Sequence, residues 1–293
     1  MTSHASVLWL ALMVAAPVAA QTPPVTPPVA ADPAFTACMA SLRGVAEKQG
    51  TTTTTFDTHA QQLAADMSVL DLLDAQPEFT TPLWDYLAAL VDEQRVADGT
   101  TMLATHRELL ERVATAYGVD AATVVAVWGV ESDYGRVFGK RPPLVSLSTL
   151  SCFGRRQAFF RGEFLTTLKL LQAGDVRADG LTGSWAGAFG HTQFMPSTYE
   201  RIAVDFDADG RRNLIDSIPD ALASTANYLV KSGWRTGEPW GYEAKLPAGF
   251  DLAQAGRTNR RPLTEWVTQG IARIDGQPLP ADDRAAAGLG PAG

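Results

Sequence analysis

Apolar residues recur at three- and four-residue spacing along most of this chain. The runs Phe35 to Lys48, Phe56 to Asp66, Pro82 to Asp98, Thr100 to Tyr117 and Arg155 to Leu171 each carry such a stripe, and most are bounded by Gly, Pro or Asp. At 3.6 residues per turn those positions share one face, so each run is predicted as a helix that buries one side. Strand signals are short and largely confined to Val137 to Leu147, and no repeat of solenoid period is present. Beyond Gly241 the sequence turns Pro-, Gly- and Ala-rich, with one short helix expected over Leu263 to Ile274 and a tail, 281–293, with little to bury. The pattern predicts a mainly α (α+β) protein with its catalytic or binding domain over 34–280.

The N-terminus follows a different pattern. Residues 1–31 contain no Lys, Arg, Asp or Glu; Val7 to Ala16 is an apolar run, and Val18-Ala19-Ala20 is a small-residue cleavage site before Gln21. Residues 1–20 therefore read as a secretory signal peptide, although a basic n-region is missing, and the alternative is an uncleaved buried helix. The Pro-rich stretch 21–33 reads as an extended linker. No other stretch approaches the roughly 20 uncharged apolar residues of a membrane span, so no transmembrane segment is expected after processing.

Composition narrows the classes. The 293 residues are 46% hydrophobic and 19% charged, enough apolar material for a sizeable core. Twenty-four Lys and Arg against 32 Asp and Glu give a net charge of −8, which argues against a nucleic-acid partner held through phosphates. The two cysteines, Cys38 and Cys152, lack metal-ligand spacing; in an exported protein they form one bridge or remain two independent buried thiols. The four scattered histidines argue against a zinc site.

The first chemical signal lies between Val119 and Arg136. Asp120 is placed to cap a helix after Gly118, and Val124, Val127 and Trp128 form an apolar stripe whose next member, at i+7, is Glu131. A carboxyl continuing an apolar stripe loses water, which raises its pKa and suits it to act as a general acid. Asp133 lies roughly 200° further round the helix and is not expected to share the pocket. The alternative is a solvated Glu at a helix end.

The second signal is Gly183 to Tyr199. Gly183, Ala186, Gly187, Ala188 and Gly190 permit close backbone approach, Trp185, Phe189 and Phe194 offer flat apolar faces, and Ser184 and Gln193 supply groups that orient hydroxyls and amides. The composition suits a carbohydrate cleft or, alternatively, a tight helix–helix contact. A third signal, Asp205 to Asp216, matches an EF-hand loop at its first, third, fifth and sixth positions, Asp205, Asp207, Asp209 and Gly210. Asp216, or Asp220 at the start of the next helix, would close the site around a structural Ca²⁺; the competing reading is a turn neutralised by Arg211 and Arg212.

Five segments together resemble the B-type lytic murein transglycosylases, glycoside hydrolase family 103: Gln76 to Leu87, Val127 to Gly135, Leu150 to Phe160, Gly183 to Tyr199, and Asp220 to Leu229 with Gly233-Trp234-Arg235. The resemblance runs from about Phe35 to Pro280. It implies a lysozyme-like fold and an enzyme that cleaves the MurNAc-GlcNAc bond of peptidoglycan without water, leaving 1,6-anhydro-MurNAc and needing no cofactor for chemistry; the signal peptide places it in the periplasm. The family's single acid/base falls on Glu131, and its cleft residues fall on Tyr86, Arg156, Ser184, Gln193, Phe194, Met195 and Tyr228. Most glycosidases flank the bond with two carboxylates, whereas here only Glu131 sits on a suitable face, which fits assistance by the substrate's own N-acetyl group. Glycan strands, together with other cell-wall enzymes, are the partners expected.

Two departures from the family pattern stand out. His191 occupies a position where Gln is common and is expected to add a titratable group at the cleft rim. Family members also usually continue past the last residue here, Gly293, with a segment returning to the cleft, so weaker glycan binding is expected. A hydrolytic muramidase and a non-catalytic peptidoglycan-binding protein remain as alternative functions.

Overall fold

Asp32 opens the first helix by accepting hydrogen bonds from the Ala34 and Phe35 amides, with Pro33 at the first helical position where its missing N–H costs nothing. Helix α1 (Pro33–Lys48) then buries Phe35, Met39, Leu42 and Ala46, the stripe read from the sequence. The computed structural model describes residues 32–73, 75, 81–239, 241–256, 259–280 and 286–288. The expected signal peptide, the linker up to residue 31 and most of the tail lie outside the described residues.

The other helices are α2 (Thr53–Ala60), α3 (Ser68–Asp71), α4 (Leu83–Leu90), α5 (Glu93–Thr105), α6 (Arg107–Tyr117), α7 (Ala121–Ser132), α8 (Pro143–Cys152), α9 (Gln157–Ala173), α10 (Pro196–Ile202), α11 (Ile218–Lys231) and α12 (Leu263–Thr268). Two short antiparallel ladders follow α11: β1 (Ala244–Lys245) pairs with β3 (Ala272–Arg273), and β2 (Arg260–Pro262) with β4 (Ala286–Gly288). Among the described residues no single helix is long and apolar enough to cross a membrane.

Several boundaries differ from the sequence reading. The predicted helix Pro82 to Asp98 is divided at Val91, because Asp92 turns out of helical geometry and caps α5 through the Arg95 amide. The run Phe56 to Asp66 stops being helical at Ala60. Helix α12 ends at Thr268, six residues short of Ile274, where Gly270 takes a left-handed φ of 83° and the chain leaves to form β3. The strand signal at Val137 to Leu147 gives only a one-residue bridge at Arg141; Pro142 and Pro143 then start α8, since proline is favoured at a helix N-terminus.

Helix α8 shows why it was missed. Ser146, Ser148, Thr149 and Ser151 are fully buried, and the hydroxyls of Thr149 and Ser151 return to the carbonyls of Val145 and Leu147 one turn back. Polar residues thus sit on every face of a core helix and hide its period. It packs against α9 and α1 in a cluster containing Phe35, Leu42, Phe56, Leu147, Leu150 and Phe164. Cys38 of α1 is bonded to Cys152, the last residue of α8.

A second cluster joins α6, α7 and α11 through Leu110, Val113, Val124, Trp128, Leu222 and Ala226. A third lies under Gly183 to Ile202, with Phe189, Phe194, Tyr199 and Leu214 at its centre. Three backbone bridges, Arg141 to Gly183, Gly183 to Phe189 and Phe189 to Phe194, fold that segment into a small irregular sheet. The helix α7 and this sheet position the candidate chemistry.

Candidate active site

Helix α7 is fixed at both ends. Asp120 accepts the Thr123 amide at 2.8 Å at the start, and Asp133, with a φ of 50°, stops the helix in left-handed geometry. Its buried face is Val124, Val125, Trp128, Gly129 and Ser132, so the apolar stripe runs on into Ser132 and Glu131 stands at its margin. Glu131 is exposed in the last turn of α7, yet the protein around it withdraws enough water to push its carboxyl pKa above the usual carboxylate range. Asp133 is held by the Arg136 guanidinium at 3.4 Å, which leaves Glu131 as the carboxyl of this turn without a cationic partner.

The segment after Gly183 is locked by its own side chains. Ser184 Oγ accepts the Ala188 amide at 3.1 Å, closing the turn through Gly187. A Cβ at Gly187 would lie 2.6 Å from the Leu147 side chain, so the small residue there is required by close packing on α8. Gln193 adopts a φ of 47° and donates its amide to the carbonyls of Gly190, at 2.9 Å, and Phe138, at 3.3 Å. Since Phe138 lies in the loop that follows α7, this bond joins the Gln193 turn to the neighbourhood of Glu131. Phe194 is buried against the third cluster and its ring lies 5.6 Å from that of Tyr228, which is 42% exposed on α11. Met195 is half-buried against the first cluster.

Ser184, Gln193, Phe194 and Tyr228 thus form one connected group, and the helix that carries Glu131 meets it through the following loop at Phe138. Among the described residues, Arg156 and Tyr86 lie apart from it. Arg156 takes a φ of 62° at the start of α9 and lies over the rings of Phe159 and Phe160, at 4.5 and 5.9 Å. Tyr86 is half-buried on α4 beside the exposed Trp84 and Leu87. The two best-formed cavities, of about 440 and 240 Å³, are lined by none of these residues. The larger lies at the opposite end of α7, around Gly118 and Trp234.

His191 does not stand at a cleft rim. It is 7% exposed, burial holds its pKa below the ordinary histidine value, and its Nδ1 accepts the indole N–H of Trp128 at 3.0 Å. Sequence reasoning also missed Ser132, whose Oγ donates to the His191 carbonyl at 2.6 Å. Its i+8 spacing from Val124 was the available signal.

In the Asp-rich loop, carboxylate oxygens of Asp205, Asp207 and Asp209 lie within 4.8 Å of one another. Among the described residues neither arginine pairs with them; Arg212 is drawn away to Asp175 and the Glu200 carbonyl. Asp220 has a different task from closing the ligand set. It is fully buried, and its oxygens accept the backbone amides of Phe206, at 2.7 Å, and Asn213, at 2.8 Å, so it braces both ends of the loop from within. Asp216 is exposed and hydrogen-bonded to Asn213.

Residues 34–293 match the model of the transglycosylase SLT domain. The chain belongs to the B-type lytic transglycosylase family. Membrane-bound lytic murein transglycosylase B of Escherichia coli K12 is 37% identical over 232 residues, which cover 71% of this chain and 63% of that protein, so the chain spans less than two thirds of this relative's length. The structure of SltB3 from Pseudomonas aeruginosa in complex with NAG-anhNAM-pentapeptide superposes with a TM-score of 0.79 at 46% identity, covering 85% of this chain and 67% of that one. The Escherichia coli lytic transglycosylase SLT35 in complex with calcium gives 0.74 at 30% identity over 88% of this chain and 80% of that one. The lysozyme-like, mainly helical fold of the family is therefore the fold of this chain.

Proposed function

We propose that the protein is a peptidoglycan lytic transglycosylase that cleaves the MurNAc-GlcNAc β-1,4 bond and forms 1,6-anhydro-MurNAc, with Glu131 as its single acid/base. The observation that carries this reading is Glu131 itself: a carboxyl in the last turn of α7 whose pKa is raised by its surroundings, beside an Asp133 occupied by Arg136. The anhydro sugar in the SltB3 complex supports the same product for this relative.

In the proposed reaction Glu131 protonates the glycosidic oxygen and the C1–O bond breaks, while the MurNAc N-acetyl oxygen stabilises the positive charge at C1. The now ionised Glu131 takes the proton from the 6-hydroxyl, whose oxygen bonds to C1 and closes the anhydro ring. The acid is regenerated and no water is consumed. Ser184 and Gln193 complement the acetamido group. The Ser184 hydroxyl already accepts from Ala188, which leaves its own proton to donate to the acetamido oxygen. The Gln193 NH₂ is spent on two backbone carbonyls, which turns Oε1 towards the acetamido N–H. Tyr228, backed by Phe194, provides an apolar ledge for a sugar face, with Met195, Tyr86 and Arg156 lining the strand further along.

Calcium is proposed as a structural ion held by Asp205, Asp207 and Asp209, as oxygen donors at alternate positions suit a hard cation and SLT35 was solved with calcium. It plays no part in the chemistry. We also assign the chain to the periplasm through the apolar run Val7 to Ala16, with which the Cys38–Cys152 disulfide is compatible.

The test is mass spectrometry of the soluble products released from purified sacculi. Anhydro-muropeptides support the proposal, reducing MurNAc ends indicate a hydrolytic muramidase, and binding without release indicates a non-catalytic binding protein.

A further inference from the structure

The buried His191 is tied to the rest of the molecule through both its ring and its backbone, and the acid/base chemistry does not use it. Its backbone N–H donates to the Leu214 carbonyl at 2.9 Å, and its carbonyl accepts Ser132 Oγ at 2.6 Å. Its Nδ1 accepts Trp128 Nε1 at 3.0 Å, and the ring also hydrogen-bonds the Ile215 backbone. An indole N–H can only donate, so Nδ1 must carry a lone pair and the proton belongs on Nε2. Burial favours the same neutral form.

The packing around the ring leaves it no other place. Trp128 and Phe138 meet it edge to face, with centroids 5.6 and 4.9 Å away. Gly135, at a φ of 84°, lies so close that a Cβ there would come 2.3 Å from His191 Cε1 and 2.5 Å from Nδ1. Trp128 and Ser132 precede and follow Glu131 on α7, three residues before and one residue after. Both of their polar side-chain groups end on His191. The same residue anchors the turn that presents Gln193, two positions later, and ties it to Leu214 and Ile215 at the end of the Asp-rich loop.

We propose that His191 is a positioning residue: as a neutral Nε2–H imidazole it sets the angle at which α7 presents Glu131 to the Ser184–Gln193 turn. This rests on the acid/base reading of Glu131. A loss of this anchor lets the last turn of α7 rotate relative to the sugar site, so it should slow the chemical step while leaving strand binding nearly intact.

The experiment compares His191→Ala and His191→Asn in the full chain, because Asn Oδ1 can take the place of Nδ1 as acceptor for Trp128. A soluble peptidoglycan tetrasaccharide gives kcat and KM, and carboxyl ¹³C NMR follows the titration of Glu131 independently of turnover. The proposal predicts that His191→Ala lowers kcat by roughly ten- to a hundredfold with KM within about threefold, and that His191→Asn recovers most of the loss. The Glu131 titration midpoint should move in His191→Ala and stay near its wild-type position in His191→Asn. Should His191→Ala fail to fold, Trp128→Phe keeps an aromatic ring, although a smaller one, and removes the N–H donor, and the same split of kcat from KM is expected. A folded His191→Ala or Trp128→Phe variant with kcat within twofold of wild type and an unmoved Glu131 titration would overturn the proposal, as would equal losses in His191→Ala and His191→Asn. A wild-type protein that does not cleave the tetrasaccharide contradicts the transglycosylase reading instead, and the titration comparison still decides the role of His191.

Discussion

Glu163 holds Ser197 with both carboxylate oxygens, one accepting the Ser197 backbone amide at 2.8 Å and the other its hydroxyl at 2.7 Å. Glu163 is 3% exposed in the middle of α9, and Ser197 lies in the first turn of α10, just after Met195 and Pro196. A buried carboxylate is costly unless its oxygens are satisfied, and here the helix start supplies the donors. The pair therefore clamps the end of the Gln193 to Met195 turn onto the core.

Removing that clamp should be expensive. Glu163→Ala is expected to lower stability by about 2–4 kcal/mol, because it leaves a half-buried amide and hydroxyl without partners as well as a cavity. Glu163→Gln, which can still accept from the amide and donate to the hydroxyl, should cost about 1 kcal/mol. Urea denaturation followed by circular dichroism distinguishes the two; equal costs would show that the hydrogen bonds are not what Glu163 contributes.

The disulfide joins residues 114 apart in sequence, tying α1 to the end of α8. Reduction should lower stability by roughly 2–4 kcal/mol through the greater freedom of the unfolded chain. Free-thiol labelling of the unfolded, unreduced protein checks the premise, and two labelled cysteines would remove it.

Calcium should raise the melting temperature, since an ion that binds the folded loop alone stabilises it by mass action. Asp205→Ala/Asp209→Ala should abolish the shift, because both residues belong to the carboxylate cluster. An unchanged shift in that variant would place the ion elsewhere, and no shift in the wild type would leave the loop as a self-contained turn.

Much of this arrangement was legible in the sequence, for reasons that vary by residue. The α1 stripe and the Asp120 cap were readable because one local rule decided each. Glu131 was singled out by the stripe of Val124, Val127 and Trp128, although the buried face proved to turn one residue further, into Ser132. Helix α8 was hidden because the buried hydroxyls of Ser148, Thr149 and Ser151 are satisfied by backbone carbonyls, which no pattern of polar and apolar letters records. The roles of His191, Asp220 and Glu163 depend on partners between 7 and 63 residues away, Asn213 and Trp128 among them, outside any regular helical spacing, so spacing alone could not reveal them.

The raised pKa of Glu131 has a consequence for stability whose sign is fixed. A carboxyl that holds its proton more tightly in the folded state than in the unfolded one penalises folding once the pH exceeds its unfolded pKa. Glu131→Gln removes that penalty, so the variant should melt at a higher temperature than wild type at neutral pH. The difference should shrink as the pH falls through the ordinary carboxylate range, near about 4.3, where both proteins carry a neutral group. A variant that melts lower at neutral pH would show that the ionised carboxylate is stabilised, contrary to its role as an acid.

The central claim is that one carboxyl performs both proton transfers and the substrate supplies the rest. Mass spectrometry of products from sacculi treated with wild type and with Glu131→Gln tests it most directly. The account predicts 1,6-anhydro-muropeptides from the wild type and a loss of at least about a hundredfold in the variant, with sacculus binding retained. Reducing-end products from the wild type, or a Glu131→Gln variant that keeps most of its activity, would contradict it.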